Sequence, residues 1–313
     1  MTIIQLEYIV AVHSYKSFSV AANHCFVTQP SLSMQIQKLE DELGVLIFDR
    51  SKNPIATTDV GEKLIRQAKV FLQERDRLQS IVENEKGDFS GILRIGIIPT
   101  IAPFLLPLFL KSFVDKYPRV ELVLDELTTG EIISGLTKST IDIGILALPI
   151  QDVVIVEEPL YYEPFVGFIP ESHKLFSKDK LDVTDIDAED LLLLKEGHCL
   201  RDQTLKVCKT SEKEWNENHS KILFEFGSLE TLINLVQQNF GMTLLPYLAI
   251  RYMKDDSRLK LVREFNSPVP KREIGIVYSK TIVKKHFAAA VKKEILSSIP
   301  KELINNKEGL IIQ

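Results

Sequence analysis

Residues 195–210 read KEGHCLRDQTLKVCKT and hold two of the chain's three cysteines, Cys199 and Cys208, with His198 directly before the first. A thiolate is a nucleophile, an electron donor and a metal ligand, so this stretch offers three kinds of chemistry. The metal reading is the weakest. Structural zinc sites use four ligands with closely paired cysteines, and the chain has no CxxC pair; neither metal nor organic cofactor is expected. Set in the first turn of a helix, Cys199 would meet backbone N–H groups and the positive end of the dipole, which favour thiolate. Cys208 lies farther along. The third cysteine, Cys25, sits beside Phe26 on a predicted packed face and is expected to behave as a small, inert hydrophobe.

The elements that must position these groups belong to an ordinary globular chain of 313 residues, 45% apolar and 26% charged, large enough for two or three folding units. Three cysteines make no disulfide framework, and in a reducing cytosol a cystine is transient and functional. The opening residues MTIIQLEYIVAVHSY carry Glu7 and His13, lack a basic leader and hold no run long enough to cross a bilayer. A soluble, cytoplasmic protein without membrane contact is expected. Net charge is −5, and residues 1–87 carry 10 Lys and Arg against 11 Asp and Glu. Any nucleic-acid contact must therefore be local, geometric or multiplied by oligomerisation.

Residues 1–58 read as helices followed by a wing. Apolar Ile4, Tyr8, Ala11 and Val12 form one stripe, and Ser17 is placed to cap a short helix whose Ala21 and Ala22 admit close packing. TQPSLSMQIQKLEDELG has Pro30 in its first turn, Leu32, Ile36, Leu39 and Leu43 facing inward, and Gly44 as its stop. It exposes Gln29, Ser31, Ser33, Gln35 and Lys38, and two such helices joined by a few residues make a helix-turn-helix candidate. IFDRSKNPIATT then reads as a wing, with Arg50 and Lys52 available for phosphates. Residues 59–87 read as a long helix whose Leu64, Ala68, Phe71, Leu78 and Val82 recur at intervals of four and three, a seam along which two chains can pair. A buried monomeric helix is the alternative. After a linker at Gly87, Asp88 and Gly91, residues 88–313 alternate strands (ILRIGII, VELVLDEL, IDIGILAL, FVGFIP, LLLL, ILFEF, MTLLP, LKLVREF, REIGIVYS) with helices. This argues α/β with two small lobes and a cleft. The tail ELINNKEGLIIQ carries no clear pattern.

The run SFSVAANHCFVTQPSLSMQIQKLEDELGVLIFDR resembles the winged helix-turn-helix of LysR-type transcriptional regulators, and IGIIPT, EGHCLRDQ with Cys208 following, SLETL and GMTLLP resemble a peroxide-sensing branch of that family. Met34 and Gln37 depart from the small or basic residues frequent there. The resemblance implies a winged helix-turn-helix, a dimerising linker helix and a two-lobed α/β regulatory domain like type 2 periplasmic binding proteins, assembled as a homotetramer. It implies contact with promoter DNA and RNA polymerase, hydrogen peroxide as the sensed oxidant, and a cellular thiol reductant for reset. It further implies a reversible Cys199–Cys208 disulfide, with Thr100, Thr129, His198, Asp202 and Arg272 around the peroxide. If the segment after Gly197 is helical, the nine-residue spacing puts the cysteines about 13 Å apart along the axis, whereas a disulfide needs Cα atoms within about 7 Å. Oxidation would then have to break the helix. Bland readings stand beside several residues: Thr128 and Glu131 fit a capping box with Thr129 merely at a helix start, Thr100 fits a helix cap, and Arg272 fits a strand-edge charge. For DNA, Gln29, Pro30, Ser31, Ser33 and Gln35 are expected near base edges or sugars, and Lys38, Arg50 and Lys52 near phosphates.

Two competing functions remain at this point. A sibling regulator would bind a small metabolite between the lobes and leave the cysteines incidental. A thiol peroxidase would turn peroxide over repeatedly.

Overall fold

The computed structural model describes residues 1–52, 54–85, 89–187, 190–208, 226–251, 253, 255–280, 285–304 and 306–312. They fall into two compact units, Met1–Asp88 and Phe89–Gln313. Among the described residues no helix is long and apolar enough to cross a membrane.

The first unit packs α1 (Ile3–Tyr15), α2 (Phe18–His24), α3 (Gln29–Leu43) and α4 (Asp59–Glu85) around one core, with a small antiparallel ribbon of β1 (Phe48–Asp49) and β2 (Ala56–Thr57). Ser17 caps α2 by accepting from the Val20 N–H, and Gly44 ends α3 in the left-handed conformation at φ 67, which glycine adopts without a Cβ penalty. Leu32, Ile36 and Leu39 are buried, but Leu43 is 38% exposed because the helix ends as it leaves the core. Ile4 of α1 likewise faces outward. The first turns of α4 dock on this core through Ile65 and Ala68. Gly61 is required there, because a Cβ would stand 2.2 Å from the Ile47 carbonyl. The expected seam is therefore split: Ala68 packs within its own unit, Leu64 is partly buried and Phe71 is half exposed. The side chains of Leu78 and Val82 lie outside those described.

In the second unit, a nine-stranded mixed sheet runs β4-β3-β5-β10-β6-β9-β7, with β11 on β10 and β8 on β6. The strands are β3 (Gly91–Ile97), β4 (Val120–Glu126), β5 (Ile143–Leu148), β6 (Ile155–Phe168), β7 (Lys180–Leu181), β8 (Thr243–Pro246), β9 (Val262–Phe265), β10 (Pro270–Ser279) and β11 (Leu310–Ile311). Helices α5 (Ala102–Lys116) and α6 (Thr129–Thr137) cross between the parallel strands β3, β4 and β5. β5 is buried along its whole length, as its uninterrupted apolar run requires of a central strand. Two hydrophobic cores form on this sheet. One gathers Leu105, Phe109 and Phe113 of α5 with β3 and β5; the other gathers Phe165, Leu244, Leu245 and the helix Leu229–Gln237. The long strands β6 and β10 carry the chain between them.

Three expectations change. β6 begins at Ile155, well before the predicted FVGFIP, despite Pro159 and Pro164. Pro159 is tolerated because the β6–β10 register shifts next to its partner Gly275, and a bulge leaves a ladder N–H dispensable. LLLL forms isolated bridges, Leu191 to Met242 and Leu194 to Phe226, rather than a strand. The tail adds the parallel strand β11 to β10 and buries Ile312. Of ILFEF only Phe226 lies among the described residues, and the linker residues Gly87 and Asp88 lie outside them.

Candidate functional site

Gly197, at φ 87, turns the chain so that His198 becomes the N-cap of α7 (Cys199–Val207) and Cys199 its first helical residue. The start of α6 stands opposite: a Cβ on Gly197 would lie 3.7 Å from the Thr128 methyl. Thr128 and Glu131 do form the capping box that the sequence suggests. Thr129, next in line, is more than a helix-start residue. Its Oγ1 is buried without a conventional hydrogen-bond partner among the described residues and lies close enough to the Cys199 sulfur to favour its anion. Burial pushes the Cys199 thiol up, and Asp202 adds to this; Arg272, the Thr129 hydroxyl and the Ala147 backbone oppose it without cancelling it. The resting sulfur is thus a thiol beside groups that favour its anion, and burial moves the pKa against the expectation that a place in the first helical turn favours thiolate. Burial outweighs the dipole.

Arg272 is 1% exposed, not a solubilising strand-edge charge. Its Nε and Nη2 donate to Glu163 Oε2 at 2.9 and 2.7 Å, Nη1 donates to Thr100 Oγ1 at 3.1 Å, and Nη2 also reaches the Thr100 carbonyl at 3.2 Å. Burial is the largest influence and works against the guanidinium charge, but Glu163, Cys199 and Tyr161 together outweigh it and the pKa is raised. Thr100 is therefore an acceptor for Arg272 and not a helix cap; Ile101 holds the N-cap position of α5. Sequence reasoning missed Glu163 and Tyr161. Arg272 and Glu163 are cross-strand partners in the β6–β10 ladder, and Tyr161, two residues from Glu163, shares their face. The Tyr161 hydroxyl is buried without a hydrogen-bond partner among the described residues, and burial followed by Glu163 holds its pKa well above that of a free phenol. A signal existed: one carboxylate inside the apolar run PLYYEPFVGF demands a buried partner.

Cys208 follows the last turn of α7. Both cysteines are free thiols. Cys199 packs against the core containing β3 and β5, and Cys208 against the other core. Burial alone pushes the Cys208 thiol up to about 12. His198 is 6% exposed, and burial, then Lys195, lower its pKa, so the ring is neutral near pH 7. Asp202 is exposed on the outer face of α7 and reaches the sulfur only through its field. A cleft of about 210 Å³ lies between Thr100, Phe104 and Glu126 on one side and Leu194, His198 and Ser228 on the other. Among the described residues, no group of three or more His, Cys, Asp or Glu is arranged to hold a metal ion.

In the first unit, Gln29, Pro30 and Lys38 are exposed on α3, and Ser31 and Ser33 are partly so. Gln35 is held back by Gln5, whose Nε2 donates to its side-chain oxygen at 3.3 Å. Arg50 is engaged too: it donates to Glu40 Oε2 at 2.9 Å and Ser33 Oγ at 3.3 Å and stacks over Phe18. It clamps the ribbon to α3, whereas Lys52 is 66% exposed beside Asp49. Sequence reasoning read Phe26 only as a packing neighbour of Cys25. It is 96% exposed and takes φ 56 in the turn before α3, a conformation that costs a bulky residue energy.

Residues 3–62 match the bacterial regulatory helix-turn-helix protein of the lysR family, and residues 86–293 match the LysR substrate binding domain. The DNA-binding transcriptional dual regulator OxyR of Escherichia coli strain K12 is 38% identical over 279 residues, 89% of each chain. A full-length cysteine-to-aspartate variant of OxyR from Pseudomonas aeruginosa superposes with a TM-score of 0.78 at 32% identity, covering 96% of this chain and 99% of that one. A hydrogen-peroxide-bound cysteine variant of OxyR from Corynebacterium glutamicum gives 0.60 at 32% identity, covering 95% and 92%.

Proposed function

Because the chain belongs to the LysR family of bacterial transcriptional regulators, we propose that it binds promoter DNA through α3 and the ribbon and responds to hydrogen peroxide through Cys199. The observation that carries this reading is the placement of one nucleophile among a buried guanidinium, an unpartnered buried hydroxyl and a backbone contact. A guanidinium and a hydroxyl held beside a buried sulfur fit a small, polar oxidant. The cleft supports the same choice over a metabolite, since about 210 Å³ falls below the roughly 300 Å³ where drug-sized ligand pockets begin.

In the proposed reaction the Cys199 thiolate attacks one peroxide oxygen, the O–O bond breaks, and hydroxide departs to leave a sulfenic acid. The Thr129 hydroxyl, the Arg272–Thr100 pair and the neutral His198 can hold the two oxygens. Asp202 acts by its field. Cys208 gives up its proton and its thiolate attacks the Cys199 sulfur; the S–O bond breaks, a disulfide forms, and the departing hydroxide takes up that proton and leaves as water. Nine helical residues hold the sulfurs about 13 Å apart along the axis against the roughly 7 Å limit between Cα atoms, so closing this bond unwinds α7 and pulls on both cores. That bistable helix converts oxidation into a changed arrangement of a homotetramer on DNA, with RNA polymerase as the downstream partner, a cellular dithiol as the resetting reductant and the cytoplasm as the setting. Gln29, Pro30, Ser31 and Ser33, with exposed Phe26, face bases or sugars, and Lys38 and Lys52 face phosphates; Arg50 and Gln35 support α3.

Promoter binding and transcription by the wild type and Cys199→Ser, with and without peroxide, test this. The variant should stay folded and DNA-competent yet lose the response. An intact Cys199 thiol after stoichiometric peroxide, read by mass spectrometry, would favour a metabolite-responsive regulator. Sustained turnover with a thiol reductant would instead indicate a peroxidase.

A further inference from the structure

We propose that Glu163 is a positioning residue of the redox site: it fixes where the Arg272 guanidinium points and sets how much of its charge acts on the Cys199 sulfur. This rests on the reading of Cys199 as the peroxide-reactive thiol. Glu163 is 1% exposed and gripped on both oxygens. Oε2 takes Nε and Nη2 of Arg272 at 2.9 and 2.7 Å, and Oε1 takes the Leu248 N–H at 2.9 Å. The carboxylate is therefore locked between β6, β10 and the helix Tyr247–Arg251.

Two consequences follow from one side chain. Geometrically, the carboxylate occupies the Nε edge of the guanidinium fork, so Nη1 is left to Thr100 Oγ1 and the fork cannot swing toward the sulfur. Two donors of one rigid planar fork converging on a single carboxylate oxygen are what let Arg, unlike Lys, be aimed in this way. Electrostatically, the anion cancels part of the cation that would otherwise act on Cys199 from within the same buried cluster. Of the other ionisable groups, Asp202 at the start of α7 acts on the sulfur through its field, Tyr161 on β6 feels Glu163 and Arg272, and Lys195 acts on His198 and Glu131. Glu163 alone among them holds Arg272 directly.

Charge and aim can be separated experimentally, because alkylation needs only a thiolate whereas peroxide cleavage also needs placed donors. In the full-length chain, the Cys199-containing peptide is followed by mass spectrometry during reaction with iodoacetamide across pH and with hydrogen peroxide. Glu163→Gln removes the counter-charge: alkylation should quicken and its pH profile move to lower pH, while peroxide oxidation slows by up to about a hundredfold, the scale of an ångström of misplacement. Glu163→Asp keeps the charge but draws the fork back. Its alkylation profile should match the wild type while peroxide oxidation slows. Opposite movement of the two rates in the Gln variant is the signature that a merely structural loss would not give. Equal slowing of both, or no change in either, overturns the proposal. If Glu163→Gln fails to fold, the Asp variant decides: a wild-type peroxide rate there also overturns it. Should wild-type Cys199 react with peroxide no faster than a free thiol, the functional reading fails, yet the alkylation arm still measures what Glu163 does to the sulfur.

Discussion

Cys199 and Cys208 are both protonated at rest, and what separates them is the company of their sulfurs. Around Cys199, burial is opposed by Arg272, Thr129 and the Ala147 backbone; burial drives the Cys208 thiol to about 12. In the proposed reaction Cys199 therefore attacks first, since groups that favour its anion already surround it. With the Cys199 pKa raised above the ordinary thiol value, its thiolate fraction grows about tenfold per pH unit up to at least pH ~7.5, a unit below that ordinary value. Alkylation of Cys199 by iodoacetamide should show a slope near one on a logarithmic scale over that range. A plateau near neutrality would mean the sulfur is already ionised.

At the scale of elements, two buried carboxylates hold the two candidate sites in shape. Glu163 joins β6 to β10, as described. In the first unit, Glu40 on α3 is 4% exposed and accepts from the Ile47 and Phe48 N–H groups at 2.7 and 3.1 Å and from Arg50 at 2.9 Å. It fastens the ribbon to α3, so the ribbon's angle is set by one side chain. Removing it leaves two buried donors unmet, at about 1–3 kcal/mol each. The Arg50 contact adds little, because that side chain is more than a third exposed. Glu40→Ala should lower local stability by about 2–6 kcal/mol, seen as faster amide exchange at Ile47 and Phe48. Unchanged protection there would show that the ribbon is held by packing alone.

For the whole molecule, DNA affinity must come from number as well as contact. The first 87 residues carry slightly more acid than base, so a single copy gains little counterion release. Several copies on spaced half-sites supply what one cannot. In the proposed assembly, the exposed side of α4, with Val60, Val70 and Phe71 each roughly half exposed, would pair with a second chain. Phe71→Asp should leave the unit folded, because Phe71 contributes nothing to its core, yet shift sedimentation toward smaller species and weaken promoter binding. Retention of the wild-type assembly would place the pairing face elsewhere.

Residue order alone determined the helix-turn-helix, since caps, Pro30, Gly44 and the Leu32, Ile36, Leu39 stripe are local signals read over a few residues. It also determined the α/β alternation and the two cysteines at the ends of one short helix. What escaped was whatever depends on partners distant in the chain. Arg272 and Glu163 are 109 positions apart, and Arg272 and Thr100 are 172 apart; no local pattern shows that a cation and a carboxylate will share one dry face of a sheet. The same holds for Gln35, exposed by helical spacing, and for Arg50, read as a wing residue available for phosphates; Gln5 captures the first and Glu40 the second. Burial, too, was decided only in three dimensions: a helix start promises a thiolate, but desolvation by the surrounding core keeps the proton on Cys199.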